Sequence, residues 1–264
     1  MRPAAPAVPA WRGSPHTAGL LWPEVLCSRP AGGAPTGLLL AAGLTLAGCA
    51  DAQDGLHNTL TDAEREAGWE LLFDGHTLEG WRGYNRGDMP AGWAVEDGAL
   101  AWASAGGDII TVRQFTDFEL TLDWKVDPGG NSGVFYRAAE GEDWIYQSAP
   151  ELQVLDDEGH VDGESPLTSA GSNFALHGAP RGVVRPAGEW NSVRVVVDGS
   201  HVEHWLNGTR VVQYELGSTE WEALVRASKF AAWPAYGRAP TGHIGLQDHG
   251  NPAWFRNIKI RELP

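Results

Sequence analysis

The sequence predicts an all-β chain made of two packed antiparallel sheets, on three observations. Turn signals recur about every 8–15 residues from residue 68 onward, strand-like runs lie between them, and 34 glycines and 17 prolines supply the breakers. About a dozen strands in roughly 195 residues suit two sheets better than one small barrel.

Residues 1–49 read as an export signal. The run 37–48 is apolar but too short to span a bilayer as a mature helix. It ends in Leu46-Ala47-Gly48-Cys49, which resembles the bacterial lipobox, so Cys49 is the expected lipidation site and the chain an exported lipoprotein of the periplasm or cell envelope. The membrane is then engaged through the N-terminal lipid alone. Cys27 precedes that site, which leaves the folded part without a thiol for a disulfide, a zinc-thiolate centre or a cysteine nucleophile. The formal net charge of −15 argues against a nucleic-acid partner, and no local basic patch offsets it.

Residues 50–67 read as a polar tether carrying a brief helix started by Thr61-Asp62-Ala63-Glu64, and residues 68–264 as a single domain. Strands are expected at 69–73, 93–96, 99–103, 108–112, 118–126, 132–137, 151–155, 191–198, 201–206, 209–214, 242–247 and 253–262. Asp198-Gly199 and Asn207-Gly208 make 193–212 a three-strand meander, because such turns require positive φ. One short helix is expected at 219–227, where Trp221, Leu224 and Val225 fall at i, i+3 and i+4, before an irregular excursion from Lys229 to Arg238.

Two short runs carry the polar signal: Glu151-Leu152-Gln153-Val154-Leu155-Asp156 and Gly245-Leu246-Gln247-Asp248-His249-Gly250. On strands, alternate groups emerge from one face. If both runs share a sheet, Glu151, Gln153 and Gln247 form a polar floor suited to a polyhydroxylated ligand. Against this stand plainer readings: Gln153 as an ordinary solvent-facing residue, Asp248 as a turn residue bonded to a backbone amide, Arg256 and Lys259 as structural groups, and Trp205 and Trp254 as core. Trp144, Tyr146, Trp233 and Tyr236 sit in loop-like contexts, where an aromatic ring can stack on a sugar.

Seven motifs in order resemble the 3-keto-disaccharide hydrolase family. They are Leu72-Phe73-Asp74-Gly75 with Leu78-Glu79-Gly80-Trp81, Asn131-Ser132-Gly133-Val134-Phe135-Tyr136-Arg137, the run from Glu151, Gly188-Glu189-Trp190-Asn191, His204-Trp205-Leu206-Asn207-Gly208, the run from Gly245, and Phe255-Arg256-Asn257-Ile258-Lys259-Ile260. The resemblance implies a concanavalin-like jelly-roll sandwich and a carbohydrate substrate. Related jelly-roll glucanases carry an E-x-D-x-E strand, but here Gln153 and Leu155 stand where its later carboxylates would be, which disfavours ordinary double displacement. A 3-keto sugar needs less, because its ketone acidifies the proton on C2. One base removes that proton, a donor holds the enolate, the C1 oxygen leaves by β-elimination, and water then adds.

On that scheme Glu151 is the base or, with a raised pKa, the acid, and His249 is the other proton-transfer group. Arg137, which shares a strand face with Asn131, Gly133 and Phe135, and Lys229 at the groove mouth are candidate donors to the ketone oxygen. Gln153, Gln247, Asp156, Trp144, Tyr146 and Trp233 are the expected substrate contacts. No cofactor is required, and a divalent cation held by Asp156, His249 and His160 is admitted. A non-catalytic carbohydrate-binding module and a conventional glucanase are the competing readings.

Overall fold

The computed structural model describes residues 57–264, so the apolar run 37–48 and Cys49 lie outside the described residues. A five-residue helix, α1 (Asp62–Glu66), opens the described chain with the expected capping box between Thr61 and Glu64. The strands are β1 (Trp69–Leu71), β2 (Trp81–Gly83), β3 (Trp93–Glu96), β4 (Ala99–Trp102), β5 (Ile109–Thr111), β6 (Phe118–Val126), β7 (Asn131–Ala138), β8 (Glu151–Leu155), β9 (Asn191–Asp198), β10 (His201–Leu206), β11 (Thr209–Glu215), β12 (His243–Leu246) and β13 (Ala253–Glu262). The longer helix, α2 (Thr219–Ala227), falls where the apolar spacing placed it, and Ser218 caps its N-terminus.

Alternation builds the larger sheet. In β6, Phe118, Leu120, Leu122, Trp124 and Val126 are buried while Thr121, Asp123 and Lys125 are half-exposed, and β9 and β10 repeat the pattern. The order is β11-β10-β9-β6-β13-β4-β3, with β1 pairing the C-terminal half of β13 where β4 has ended. The meander β9-β10-β11 forms as expected, with Asn207 and Gly208 both at positive φ in its second turn.

The smaller sheet runs β2-β5-β12-β7-β8 and packs its inner face on the larger one, giving the antiparallel jelly-roll sandwich that the motif order implied. Its strands β7 and β8 are buried at every position, so both of their faces are covered. The inner face supplies Val134, Tyr136, Leu152, Val154, Ile244 and Leu246 to the core. On the outer face a small apolar cluster of Ile110, Phe135, Ala138, Ile145 and Ala149 supports one end of the groove described below.

Two expectations are corrected here. From residue 57 the supposed tether belongs to the fold: Asn58 and Asn257 exchange amide hydrogen bonds of 2.7 and 2.8 Å, Asn58 Nδ2 donates to the Gly98 carbonyl, and Lys259 pairs with Glu64 at 2.7 Å. Asn257 lies in the β13 register shift, and Asn58 satisfies the backbone groups that this bulge frees. Trp205 and Trp254 do not fill the core. Both lie half-buried on the outer face of the large sheet, under Arg194 at 4.3 Å and Lys125 at 4.7 Å respectively, with their indole N–H groups donating to Glu203 and Glu96.

Candidate active site

Three adjacent strands bring the two polar runs together. β7 lies between β8 and β12, with Gly133 opposite Gln153 and Phe135 opposite Glu151, and the Gly133 carbonyl accepts from the Gln247 amide at 3.0 Å. Asn131, Glu151, Gln153 and Gln247 therefore line one cavity of about 260 Å³ on the outer face of the small sheet. Gly133 makes the floor feasible, since a Cβ there would stand 2.1 Å from Glu151 Oε1. The irregular excursion supplies the wall. Lys229 starts a short 3-10 turn, Lys229–Ala232, Tyr146 comes from another, Ile145–Gln147, and Phe174 comes from a loop. His249 stands exposed at the rim, edge-on to His160 with ring centroids 6.1 Å apart.

The electrostatics follow from burial. Glu151 is 5 % exposed, and among the described residues its carboxyl makes no hydrogen bond and no ion pair within 4 Å. Desolvation pushes its pKa up to about 8, Lys229 opposes the shift, and Asp108 and Asp162 add to it, so the group holds its proton at neutral pH. The Lys229 ammonium lies over Phe174 at 4.4 Å and over Tyr146 and Phe230 at 5.2 Å. Its desolvation among those rings lowers its pKa, against the pull of Glu151 and Asp162. Gln153 donates to Asn131 Oδ1 at 3.2 Å, whereas Gln247 Oε1 is buried without a partner. A ligand hydroxyl would satisfy it.

Several expected residues fall elsewhere. Arg137 leaves the groove face because β7 bulges there: Ala138 pairs with His243 and Phe135 with Gly245, so two residues oppose one. Arg137 takes a φ of 49°, and its guanidinium donates to the Thr116 carbonyl and to Asp117, at 2.9 Å each. Asp156 accepts from the Gly129 and Glu158 amides, fastening two turns beside β8, and does not line the cavity. Trp144 is 57 % exposed and outside the lining, while Trp233 meets the rim residue Tyr146 edge-on at 5.4 Å. Tyr236 is buried, stacked on Phe230 and Trp221. His160 caps the 3-10 turn Val161–Glu164 by accepting from the Asp162 amide. His160 and His249 adjoin, but Asp156 is engaged by the Gly129 and Glu158 amides, and no group of three or more His, Cys, Asp or Glu side chains is arranged to hold a metal ion among the described residues.

Asp162, Phe174 and Asn131 also line the cavity, beyond the residues expected from the sequence. Asn131 was legible from its parity with Gly133. Asp162 and Phe174 sit in the long irregular stretch between β8 and β9, where no periodicity indicates which way a side chain points.

A jelly-roll sandwich whose outer face holds titratable groups beside amide side chains fits a carbohydrate-active enzyme. The chain belongs to the 3-keto-alpha-glucoside-1,2-lyase-like domain family, whose model matches residues 68–261. It is 38% identical over 228 residues to a 3-keto-disaccharide hydrolase of Bacteroides thetaiotaomicron, covering 74% of this chain and 79% of that one. A crystal structure from Parabacteroides distasonis ATCC 8503, described as that of a glycosyl hydrolase, superposes with a TM-score of 0.73 at 36% identity, covering 79% of this chain and all of the other. A second structure so described, from the same organism, gives 0.58 at 31% identity and covers 74% of this chain and 99% of the other.

Proposed function

We propose that the groove cleaves the glycosidic bond of 3-keto-glycosides, 3-keto-disaccharides among them, by elimination followed by hydration. The observation that carries this reading is a single cavity in which a proton-bearing, unpaired Glu151 faces Lys229 below an imidazole at the rim. The names of the relative and the family point to the same substrate class.

In this scheme His249 takes the proton from C2, and the electron pair moves into the C3 carbonyl, whose oxygen receives a hydrogen bond from the Lys229 ammonium. The enolate then reforms the ketone with a C1–C2 double bond as the C1–oxygen bond breaks, and the departing oxygen takes the proton of Glu151. The Glu151 carboxylate accepts a proton from water as its hydroxyl adds to C1, and protonated His249 returns a proton to C2. Both groups end as they began. Gln153, Gln247 and Asn131 orient the ring through its hydroxyls.

Asp162 favours a second reading. It is another carboxylate lining the cavity, and a conventional hydrolysis uses two. Incubating the purified protein with a 3-keto glucoside and with its parent glucoside separates the two. Aglycone released from the keto sugar alone is the expected result. Equal release from both establishes the conventional route, and release from neither ends the catalytic proposal. The reading of residues 1–49 as a lipoprotein signal supports a cell-envelope location for this activity, and loss of acyl labelling in Cys49→Ser is its test.

A further inference from the structure

The chain contains three lysines, Lys125, Lys229 and Lys259, and they occupy different environments. Lys259 is tied to Glu64 at 2.7 Å, and Lys125 lies between Trp190 and Trp254 on the outer face of the large sheet. Lys229 alone lines the cavity. Among the described residues it has no carboxylate within 4 Å, and its immediate neighbours are the rings of Tyr146, Phe174 and Phe230. A desolvated ammonium could also hold a negative oxygen, but loss of hydration has a second consequence at this amine. An amine that must become a nucleophile gains directly, because desolvation favours its neutral form. The group beside it, Glu151, is a neutral acid at the same pH.

From this arrangement we infer that Lys229 forms a covalent imine with the C3 ketone of the substrate. The inference rests on the reading of the groove as a site for 3-keto-glycosides and replaces the hydrogen-bonded enolate by a stronger electron sink. The neutral amine adds to C3, the carbinolamine loses water with a proton from Glu151, and a protonated imine remains. Loss of the C2 proton to His249 moves the electron pair into that iminium, giving an enamine. The enamine expels the C1 oxygen, which leaves with the proton that His249 took from C2, and the iminium re-forms in conjugation with a C1–C2 double bond. Hydrolysis consumes one water, equal to the one released on condensation, returns a proton to the Glu151 carboxylate, and frees Lys229 and the enone. The nitrogen begins and ends as an amine, and no oxidant or reductant is involved.

The test is reductive trapping. Purified protein turning over a 3-keto glucoside is treated with sodium cyanoborohydride, which reduces iminium ions at neutral pH, and the sites of adduct formation are mapped by peptide mass spectrometry. Expected are substrate-dependent, time-dependent inactivation and one adduct per chain on Lys229, with Lys125 and Lys259 unmodified. Lys229→Arg keeps the positive charge but cannot form an imine. It should lose both the adduct and turnover by about 100-fold or more, while Lys125→Arg is trapped as the wild type is. Turnover by the wild type without an adduct, or Lys229→Arg activity within about tenfold of wild type, overturns the imine and leaves the proposed function standing. Absence of turnover by the wild type removes both.

Discussion

β7 separates two buried polar assemblies that solve the same problem in opposite ways. On its inner face the Tyr136 hydroxyl lies 2.7 Å from His204 Nε2 and 2.6 Å from the Tyr214 hydroxyl, and His204 Nδ1 lies 3.1 Å from the Gly171 carbonyl. The network assigns the His204 proton to Nδ1, the Tyr136 proton to its bond with Nε2 and the Tyr214 proton to Tyr136, so each group meets its partner inside the protein. On the outer face, one strand position away, Glu151 and Gln247 Oε1 are buried and lack partners. A satisfied network adds to the stability of the fold. An unsatisfied one costs stability and is retained where a ligand completes it.

Four experiments break or sharpen that contrast. The largest effect is expected for Glu151→Gln, which removes the proton donor at nearly constant shape. Turnover of a 3-keto glucoside should fall by about 10²–10⁴-fold while the melting temperature stays level or rises, and a large loss of stability would show that Glu151 belongs with the structural assembly. Next comes Gly133→Ala, whose methyl group would collide with Glu151 Oε1 and push the carboxyl off the floor. A tenfold or larger loss of kcat with a stability cost of about 1–3 kcal/mol in urea titrations is expected, and unchanged kcat would mean that the carboxyl position is not critical.

On the inner face, Tyr136→Phe should reverse the pattern. It leaves His204 Nε2 and Tyr214 short of a partner, so stability should drop by about 1–3 kcal/mol while kcat per folded molecule is retained. Loss of activity at full stability would place the network in the site. The smallest effect is in the pH dependence of stability, where the two assemblies have opposite signs. Burial keeps the Glu151 pKa at about 8, so the folded state holds a proton that the unfolded chain sheds above about 4.5, and stability from this group falls as pH rises from about 4.5 to 8. Burial lowers His204 to about 4, so the unfolded chain binds a proton that the folded state refuses, and stability from this group falls as pH drops from 6.5 to about 4. Each slope is on the order of 1 kcal/mol per pH unit at most; the two offset each other between about pH 4.5 and 6.5, so Glu151→Gln should flatten the fall between about 6.5 and 8 and uncover the His204 slope below 6.5.

Much of the fold was legible because its signals are local. The alternation in 118–126 and 191–206, the Asn207-Gly208 turn, the Thr61–Glu64 capping box and the spacing of Trp221, Leu224 and Val225 each act within a few residues, and each appears in the structure as read. β2 was not anticipated because three residues between Gly80 and the turn after Gly83 carry no period. In the site, Glu151, Gln153 and Gln247 followed from strand parity, while Arg137 failed because parity assumes an unbroken pleat and the bulge at 136–137 resets it.

The order of turns, the period-two runs and the paired polar clusters are properties of neighbouring residues, so the chain alone determined an all-β sandwich with Glu151 on one strand and Gln247 at the end of another. Only the tertiary structure decided that β7 would lie between those strands, that loops far along the chain would bring Lys229, Phe174 and Asp162 over the floor, and that Trp205 and Trp254 would remain outside the core. Those outcomes depend on which strands pair and how much water their packing excludes, and the titration of Glu151 and Lys229 follows from that exclusion rather than from residue type.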